Sequence, residues 1–262
     1  MKKLAITVVI LFGLLVAADF GAAAVAEHQV AKQVRSQLAL PRDPDVRING
    51  FPFLTQVAAG DYRDVELSAE AVPVGEFREL GIEANLHHAR LAPSDLFSGN
   101  VRELTVDELT GRVKVTAADV GRYIGIPDLR IAPAPKDALA GTDGDEQVAR
   151  TEDGTQTAVQ LNGTVPIAGT ENQVQIIALL SLVGGKLEIE PKKLELDNSS
   201  IGPIDLPAVF EESVLRQFTF SLDPGMLPFQ VTPTGVRAEH GALVIEGTVR
   251  DVTIGAGGVT TG

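Results

Sequence analysis

The sequence predicts a strand-rich α+β protein, because apolar residues recur with a helical spacing near the N-terminus and with a two-residue spacing over most of the remaining chain of 262 residues. An apolar run followed by a helical pattern occupies the N-terminus. Beyond residue 41 the apolar residues mostly alternate with polar ones, which is typical of strands with one solvated face. The short spacing between these strands favours antiparallel pairing, with a few short helices to cover one face.

The N-terminus has the layout of an export leader. Lys2 and Lys3 precede fifteen apolar residues, 4–18, whereas a bilayer-spanning helix takes roughly 20 residues. Residues 19–26, "DFGAAAVA", prolong the apolar stretch with Asp19 as their only charge.

The small residues at positions 22, 24 and 26 fit a signal-peptidase site and fit equally the start of a helix that leaves the membrane. We therefore predict residues 1–26 as a signal peptide or a signal anchor, and 27–262 as a single extracytoplasmic domain. The protein is predicted to lie in the cell envelope, on the periplasmic side of the plasma membrane, either secreted or anchored.

Charge and cysteine content exclude several classes of protein. The net charge of −13 repels nucleic acid and gives no general attraction to anionic membranes. Without cysteine, the chain has neither disulfides nor a lipoprotein attachment site, so its stability depends on burial of a core. Any contact with lipid must therefore come from a local apolar or basic feature.

Periodicity predicts the elements beyond the leader. Val30, Val34 and Leu38 indicate an amphipathic helix of about four turns that ends before Pro41. Predicted strands cover 64–71, 79–91, 101–116, 156–167, 186–196, 229–238 and 242–254, and predicted helices cover 116–125 and 206–218.

Three further segments have a distinct character. The Gly184–Gly185 pair predicts a hairpin turn. The acidic segment at about 133–155, rich in Ala, Pro and Gly, is interpreted as a long solvated loop, with a hinge between two halves as the alternative. Residues 174–183, "VQIIALLSLV", are apolar at nearly every position. They indicate a central strand covered on both faces, or a strand with one face lining a dry groove.

Catalytic patterns are missing from the sequence. It has no H-E-x-x-H and no G-x-S-x-G motif. His87 and His88 are neighbours on a predicted strand, so their side chains point to opposite faces and cannot share a metal. We predict a protein that is not an enzyme, with no catalytic residue, no metal and no cofactor.

Large apolar residues cluster beside prolines at two places. Phe51, Phe53 and Leu54 flank Pro52 in "INGFPFLTQVAAGDY" (48–62), and "MLPFQV" (226–231) repeats the pattern. Such clusters either plug the ends of a core or form the rim of an apolar cavity or a surface that enters lipid. The residues by themselves leave both interpretations open.

The segment "AADFGAAAVAEHQVAKQV", followed by "INGFPFLTQVAAGDYRDVELSAE", resembles the actinobacterial LmeA-like cell-envelope phospholipid-binding family. The shared residues are Gly50–Gln56, Gly60 and Tyr62, and residues 227–254 resemble the closing hairpins of the family. The resemblance implies an extracytoplasmic phospholipid-binding protein that supports envelope construction, in some relatives the biosynthesis of lipoglycan. It also implies a long twisted antiparallel sheet wrapped around a long helix, as in tubular lipid-binding (TULIP-like) proteins.

From these residues we predict an apolar groove that holds acyl chains, with phospholipid and the membrane as partners, together with possible envelope-biogenesis proteins. Arg63, Arg102 or Arg122 would meet the phosphate, and Phe53→Asp would abolish lipid retention with the fold intact. The predicted lipid contacts are Phe51, Phe53, Leu54, Tyr62, Ile176, Leu179, Leu180, Leu182, Phe210, Val214, Phe218, Leu227 and Phe229.

Two alternatives stay open at this point. The first is a non-enzymatic envelope scaffold that has a closed core and a protein partner. The second is a hydrolase or transferase whose site has an unfamiliar pattern.

Overall fold

The computed structural model of the chain describes residues 2–98, 103–135, 137–140, 154–167, 169–196, 208–222, 233–255 and 258–261. Its helices are α1 (Lys2–Leu38), α2 (Phe53–Ala59), α3 (Pro93–Ser98), α4 (Ala117–Ile124) and α5 (Ala208–Gln217). Its strands are β1 (Asp45–Asn49), β2 (Asp61–Val74), β3 (Phe77–Arg90), β4 (Glu103–Thr116), β5 (Arg130–Pro133), β6 (Gln156–Ile167), β7 (Thr170–Val183), β8 (Lys186–Leu196), β9 (Phe220–Leu222), β10 (Gly235–Glu239), β11 (Ala242–Gly255) and β12 (Gly258–Thr261).

The strands form two antiparallel sheets rather than the single long sheet that we predicted. One sheet has the order β1-β2-β3-β4-β11-β10, with β12 paired to β11, and the other has the order β5-β6-β7-β8-β9. Apolar alternation fixes which residues form strands, but it carries no information on which strands become neighbours. The strand-rich α+β class is confirmed.

The chain divides into two compact units. The first contains residues 1–70, 83–111 and 249–262, and the second contains residues 71–82 and 112–248. The divisions fall within the long strands β2, β3, β4 and β11. Of the segment predicted as a long acidic loop, residues 136 and 141–153 lie outside the described residues.

In the first unit, the leader and the amphipathic helix are one continuous helix. α1 has 37 residues and is about 55 Å long at 1.5 Å per residue. Residues 2–15 of the helix are exposed, and the helix is long and apolar enough to cross a membrane, a property that N-terminal signal sequences share. α1 contacts β1, α2 and α3 and ends three residues before Pro41, as predicted.

The sheet of the second unit is built on a hairpin that the sequence predicted. β6 and β8 coincide with the predicted strands 156–167 and 186–196, and both pair with β7. Gly184 and Gly185 join β7 to β8 with φ of 59° and 80°, the left-handed values that a tight hairpin turn requires. The predicted turn is confirmed.

Strand β7 is covered on both faces through its middle. Residues 176–181 are all buried, which confirms the interpretation of 174–183 as a central strand. On one face Ile177 and Leu179 pack with Leu139. Because side chains alternate along a strand, Ile176 and Leu180 point to the opposite face.

Gly121 permits the close turn after α4. A β-carbon at this position would lie 2.3 Å from the carbonyl oxygen of Ile126, whose backbone N–H donates to the carbonyl oxygen of Gly121. We expect Gly121→Ala to lower the free energy of unfolding by about 1–3 kcal/mol, because overpacking against backbone outweighs the better helix propensity of alanine.

The control for this prediction is Gly111→Ala, since a β-carbon on Gly111 meets nothing within 4 Å. We expect its unfolding midpoint in urea to stay at or slightly above that of the native chain. Equal midpoints for the two variants would contradict the packing argument.

Candidate functional site

The Gly50–Gly60 segment connects β1 to β2 in the first unit and holds the shared motif. The Phe51–Pro52 peptide bond is cis, and α2 begins immediately afterwards at Phe53. Gly60 ends α2 in the left-handed conformation, and its backbone N–H donates to the carbonyl oxygens of Gln56 and Val57. The helix within this segment therefore has about two turns and is closed at its C-terminus by a glycine cap.

Asp19 of α1 caps the N-terminus of α2. One carboxylate oxygen, Oδ2, accepts a hydrogen bond from the backbone N–H of Phe53, and Oδ1 accepts one from the N–H of Leu54, both at 2.8 Å. Pro52 supplies no side-chain cap, so Asp19 satisfies two of the donors that a helix start leaves without partners. Asp19 is 2% exposed, and a negative charge at the N-terminus of α2 also matches the helix dipole.

Two more side chains fasten the same segment. The amide of buried Gln56 donates to the carbonyl oxygens of Asn49 and Gly50, at 3.2 and 2.8 Å, and its Oε1 accepts from the backbone N–H of Arg63 at 3.0 Å. Glu27 of α1 accepts from the N–H of Ile48 at 2.8 Å. The motif is thus hydrogen-bonded to α1 on one side and to the adjoining strands on the other.

The phenylalanines of the motif have opposite environments. Phe53 is 1% exposed and packs on buried Tyr62 with 6.4 Å between ring centroids. Phe51 is 51% exposed and Leu54 is 44% exposed. The Phe51 ring stacks on Phe20 of α1, 63% exposed, with 5.9 Å between centroids and 23° between planes. One phenylalanine therefore serves as a core plug, while the other belongs to the surface.

We call Phe20, Phe51 and Leu54 the exposed apolar patch. All three are held beside Asp19, since Phe20 follows it in α1, Phe51 stacks on Phe20, and the N–H of Leu54 donates to its carboxylate. An open groove of about 460 Å³ adjoins the patch, within the size range of small-ligand sites. Its walls include Phe20, Phe51 and the small residues Ala23 and Ala24, with Arg47 as the basic residue.

Tyr62 lies beneath this surface with its hydroxyl buried. Within the part of the chain that the structure describes, the hydroxyl has no hydrogen-bond partner. Burial raises the pKa of the Tyr62 phenol, because the phenolate would lose its hydration. Tyr62 therefore acts as a neutral packing partner of Phe53.

The remaining predicted lipid contacts belong to the second unit. Ile176, Leu179 and Leu180 are fully buried, and Leu182 is half-buried at the end of β7. Val214 of α5 and Phe218, which directly follows α5, are also buried, and α5 contacts β8. Leu179 points to the face opposite Ile176 and Leu180, so the four β7 residues do not share one surface. The Phe210 side chain, Leu227 and Phe229 lie outside the described residues.

Asp119 in the second unit resembles Asp19 in accepting from two consecutive backbone N–H groups, here of strand β3. Its buried carboxylate accepts from the backbone N–H groups of Arg78 and Glu79, at 3.0 and 2.8 Å, and it also pairs with Arg122. Of the arginines predicted to meet phosphate, Arg122 is thus paired with an aspartate and Arg102 lies outside the described residues, while Arg63 is exposed.

Titratable groups do not assemble into a metal centre in the described part of the chain, where no group of three or more His, Asp or Glu side chains has the required geometry. His88 instead contacts Asp61 at 3.2 Å, and His87 lies 3.8 Å from Asp64. These are partly exposed pairs on the neighbouring strands β2 and β3.

These features define a strand-rich α+β protein with an apolar patch fixed beside an apolar N-terminal helix. The profile of the LmeA-like phospholipid-binding family matches residues 17–248, and the chain belongs to this family. The resemblance seen in the sequence is therefore confirmed, and the family supports phospholipid binding. No curated protein and no solved structure matches the chain.

Proposed function

We propose that this protein binds phospholipid outside the cytoplasm, holds it without chemical reaction, and supports biogenesis of the cell envelope. The observation that carries the proposal is the exposed apolar patch within the family motif. Burial of a phenylalanine or leucine side chain is worth about 1.5–3 kcal/mol, so a patch held open by three hydrogen-bonding side chains favours an apolar partner.

The groove beside α1 is the proposed place for the lipid in the first unit. Phe20, Phe51 and the two alanines offer apolar walls for an acyl chain, and each buried methylene contributes about 0.8 kcal/mol. Arg47 offers a cation for the phosphate. Its contact with Asp45, at 3.3 Å, joins two largely exposed side chains, so exchanging that contact for a phosphate costs little.

The second unit holds a separate apolar region in the proposal. Ile176, Leu180, Val214 and Phe218 are closed over by protein, so an acyl chain reaches them only when a covering element moves away. The roles predicted for Leu182, Phe210, Leu227 and Phe229, and the tubular type of fold, belong to this proposal as well. We place the first contact with lipid at the exposed patch, because it is already accessible.

The proposal is tested by native mass spectrometry and lipid extraction on the full chain, purified in mild detergent. We expect phospholipid at fixed stoichiometry in the native protein. Phe51→Ser together with Leu54→Ser should weaken phospholipid affinity at least tenfold, since about 1.4 kcal/mol of lost apolar burial corresponds to a factor of ten.

Val183→Ser is the matched control, because Val183 is an equally exposed apolar residue at the hairpin of the second unit. It should retain phospholipid at the native level. If the double variant also retains it, the patch is not the contact surface. A native protein that carries no phospholipid would instead favour a scaffold with a protein partner.

A further inference from the structure

We propose that α1 is retained as a structural part of the first unit, and that Asp19 seats the exposed apolar patch in the interfacial layer of the bilayer that α1 crosses. The partner is the phospholipid bilayer itself. This inference rests on the proposed function only in its choice of a lipid partner. Its tests measure how deeply the patch lies in the bilayer and whether residues 1–26 are cleaved, rather than whether the protein retains lipid.

Retention follows from the hydrogen bonds that α1 makes with the rest of the first unit. Cleavage after residue 24 or 26 would remove Asp19, the acceptor for the N–H groups of Phe53 and Leu54. It would also remove Phe20 from the Phe51 ring. α1 continues without a break through this region, Ala26 is buried, and the family match begins at residue 17, upstream of both possible cleavage points. The C-terminal end of the leader therefore belongs to the folded protein.

The length of the apolar run, residues 4–18, determines how deeply Asp19 and Phe20 lie in the bilayer. Residues 4–18 span about 22 Å as a helix, whereas the hydrocarbon layer is about 30 Å thick. The shortfall of about 8 Å corresponds to the five or six residues that follow, which include Asp19 and Phe20. The Asp19 carboxylate does not face lipid, because it is buried and accepts two backbone N–H groups.

The patch therefore enters the boundary between acyl chains and head groups. Phe51 stacks on Phe20 and Leu54 is bound to Asp19, so both lie at the depth of this part of α1. Phenylalanine and leucine, together with tryptophan, are the side chains with which interfacial helices enter this boundary. The first polar residues of α1 after Asp19 are Glu27 and His28, which is consistent with the helix leaving the bilayer there.

Depth is measured by fluorescence, because the chain has no tryptophan and any single introduced one gives the whole signal. The full chain is reconstituted into phosphatidylcholine–phosphatidylglycerol vesicles with brominated acyl chains, and iodide serves as the aqueous quencher. Phe51→Trp is the test variant, with Leu54→Trp as a second in case the first perturbs the stack. Phe12→Trp reports the lipid-embedded helix, and Leu38→Trp, about 27 Å along α1 from Phe20, reports water.

We expect Phe51→Trp to be quenched by lipid brominated near the head group to at least half the extent of Phe12→Trp. Its quenching by iodide should be at least threefold weaker than that of Leu38→Trp. If Phe51→Trp is quenched by iodide as strongly as Leu38→Trp, the patch lies in water and the inference is wrong. Protection from both quenchers would also overturn it, because a second protein surface would then cover the patch.

Retention is measured on protein recovered from the membranes of expressing cells, by intact mass and N-terminal sequencing. We expect a chain that still contains residues 1–26, and a mature chain that begins between residues 23 and 27 would overturn the inference. Phospholipid retained by a chain that fails either test would leave the proposed function standing.

Discussion

Asp19→Ala is expected to lower the free energy of unfolding of the first unit by about 3–5 kcal/mol. Hydrogen bonds to a charged group are worth about 1.5–3 kcal/mol each, and this carboxylate accepts two, from the N–H groups of Phe53 and Leu54. Alanine leaves both donors without an acceptor. Denaturant titration of the full chain in detergent micelles measures the loss, and hydrogen exchange at these two amides should rise in parallel.

Two variants separate this effect from a general loss of charge. Asp19→Asn keeps one acceptor oxygen and should lose roughly half as much stability. Asp43→Ala removes the aspartate that pairs at 3.1 Å with Arg35 of α1, the helix that contains Asp19, and both side chains of this pair are about half exposed. Exposed pairs contribute about 0–1 kcal/mol. If Asp19→Ala proves as mild as Asp43→Ala, the carboxylate does not hold the motif.

Phe53→Ala and Phe51→Ala are expected to have opposite consequences, although the two residues are only two positions apart. Phe53 is buried against Tyr62, so its truncation leaves a cavity and should cost about 3–5 kcal/mol of stability. Phe51 is half-exposed, so its truncation should change stability by about 0.5 kcal/mol or less while weakening lipid binding.

Stability from urea titration and phospholipid affinity from the same preparations test this pair. Similar stability losses in the two variants would contradict the division of the motif into plug and surface. Burial also changes the outcome expected for Phe53→Asp, which the sequence suggested as a fold-neutral change. A carboxylate there would be buried and unpaired beside that of Asp19, so we now expect unfolding.

The elements could be predicted from the sequence wherever the pattern is local. The alternation of apolar and polar residues predicted the exact bounds of β6 and β8, and Gly184–Gly185 predicted the turn between β7 and β8. Each of these features depends only on adjacent residues. The division of the strands into two sheets depends on pairing between strands far apart in the chain, so no local pattern predicts it.

The position of the Phe51–Phe53 motif could be read from the sequence, but the opposite burial of its two rings could not. Phe51 and Phe53 look alike in the sequence, and only the start of α2 at Phe53 turns one inward and leaves the other exposed. The bond from Asp19 spans 34 positions and had one signal, a lone charge in an apolar run. Such a charge is costly in lipid unless it is hydrogen-bonded or paired, so its presence indicates a polar partner elsewhere in the chain.

The central claim is that the surface containing Phe51 and Leu54 binds phospholipid. The most direct test labels the full chain with a phospholipid that carries a photoreactive diazirine in its acyl chain, followed by trypsin and mass spectrometry. Trypsin separates the motif, residues 48–63, from the apolar helix, residues 4–32. We predict saturable labelling of 48–63 that excess unlabelled phospholipid abolishes. Labelling confined to 4–32, unaffected by that competitor, would contradict the claim.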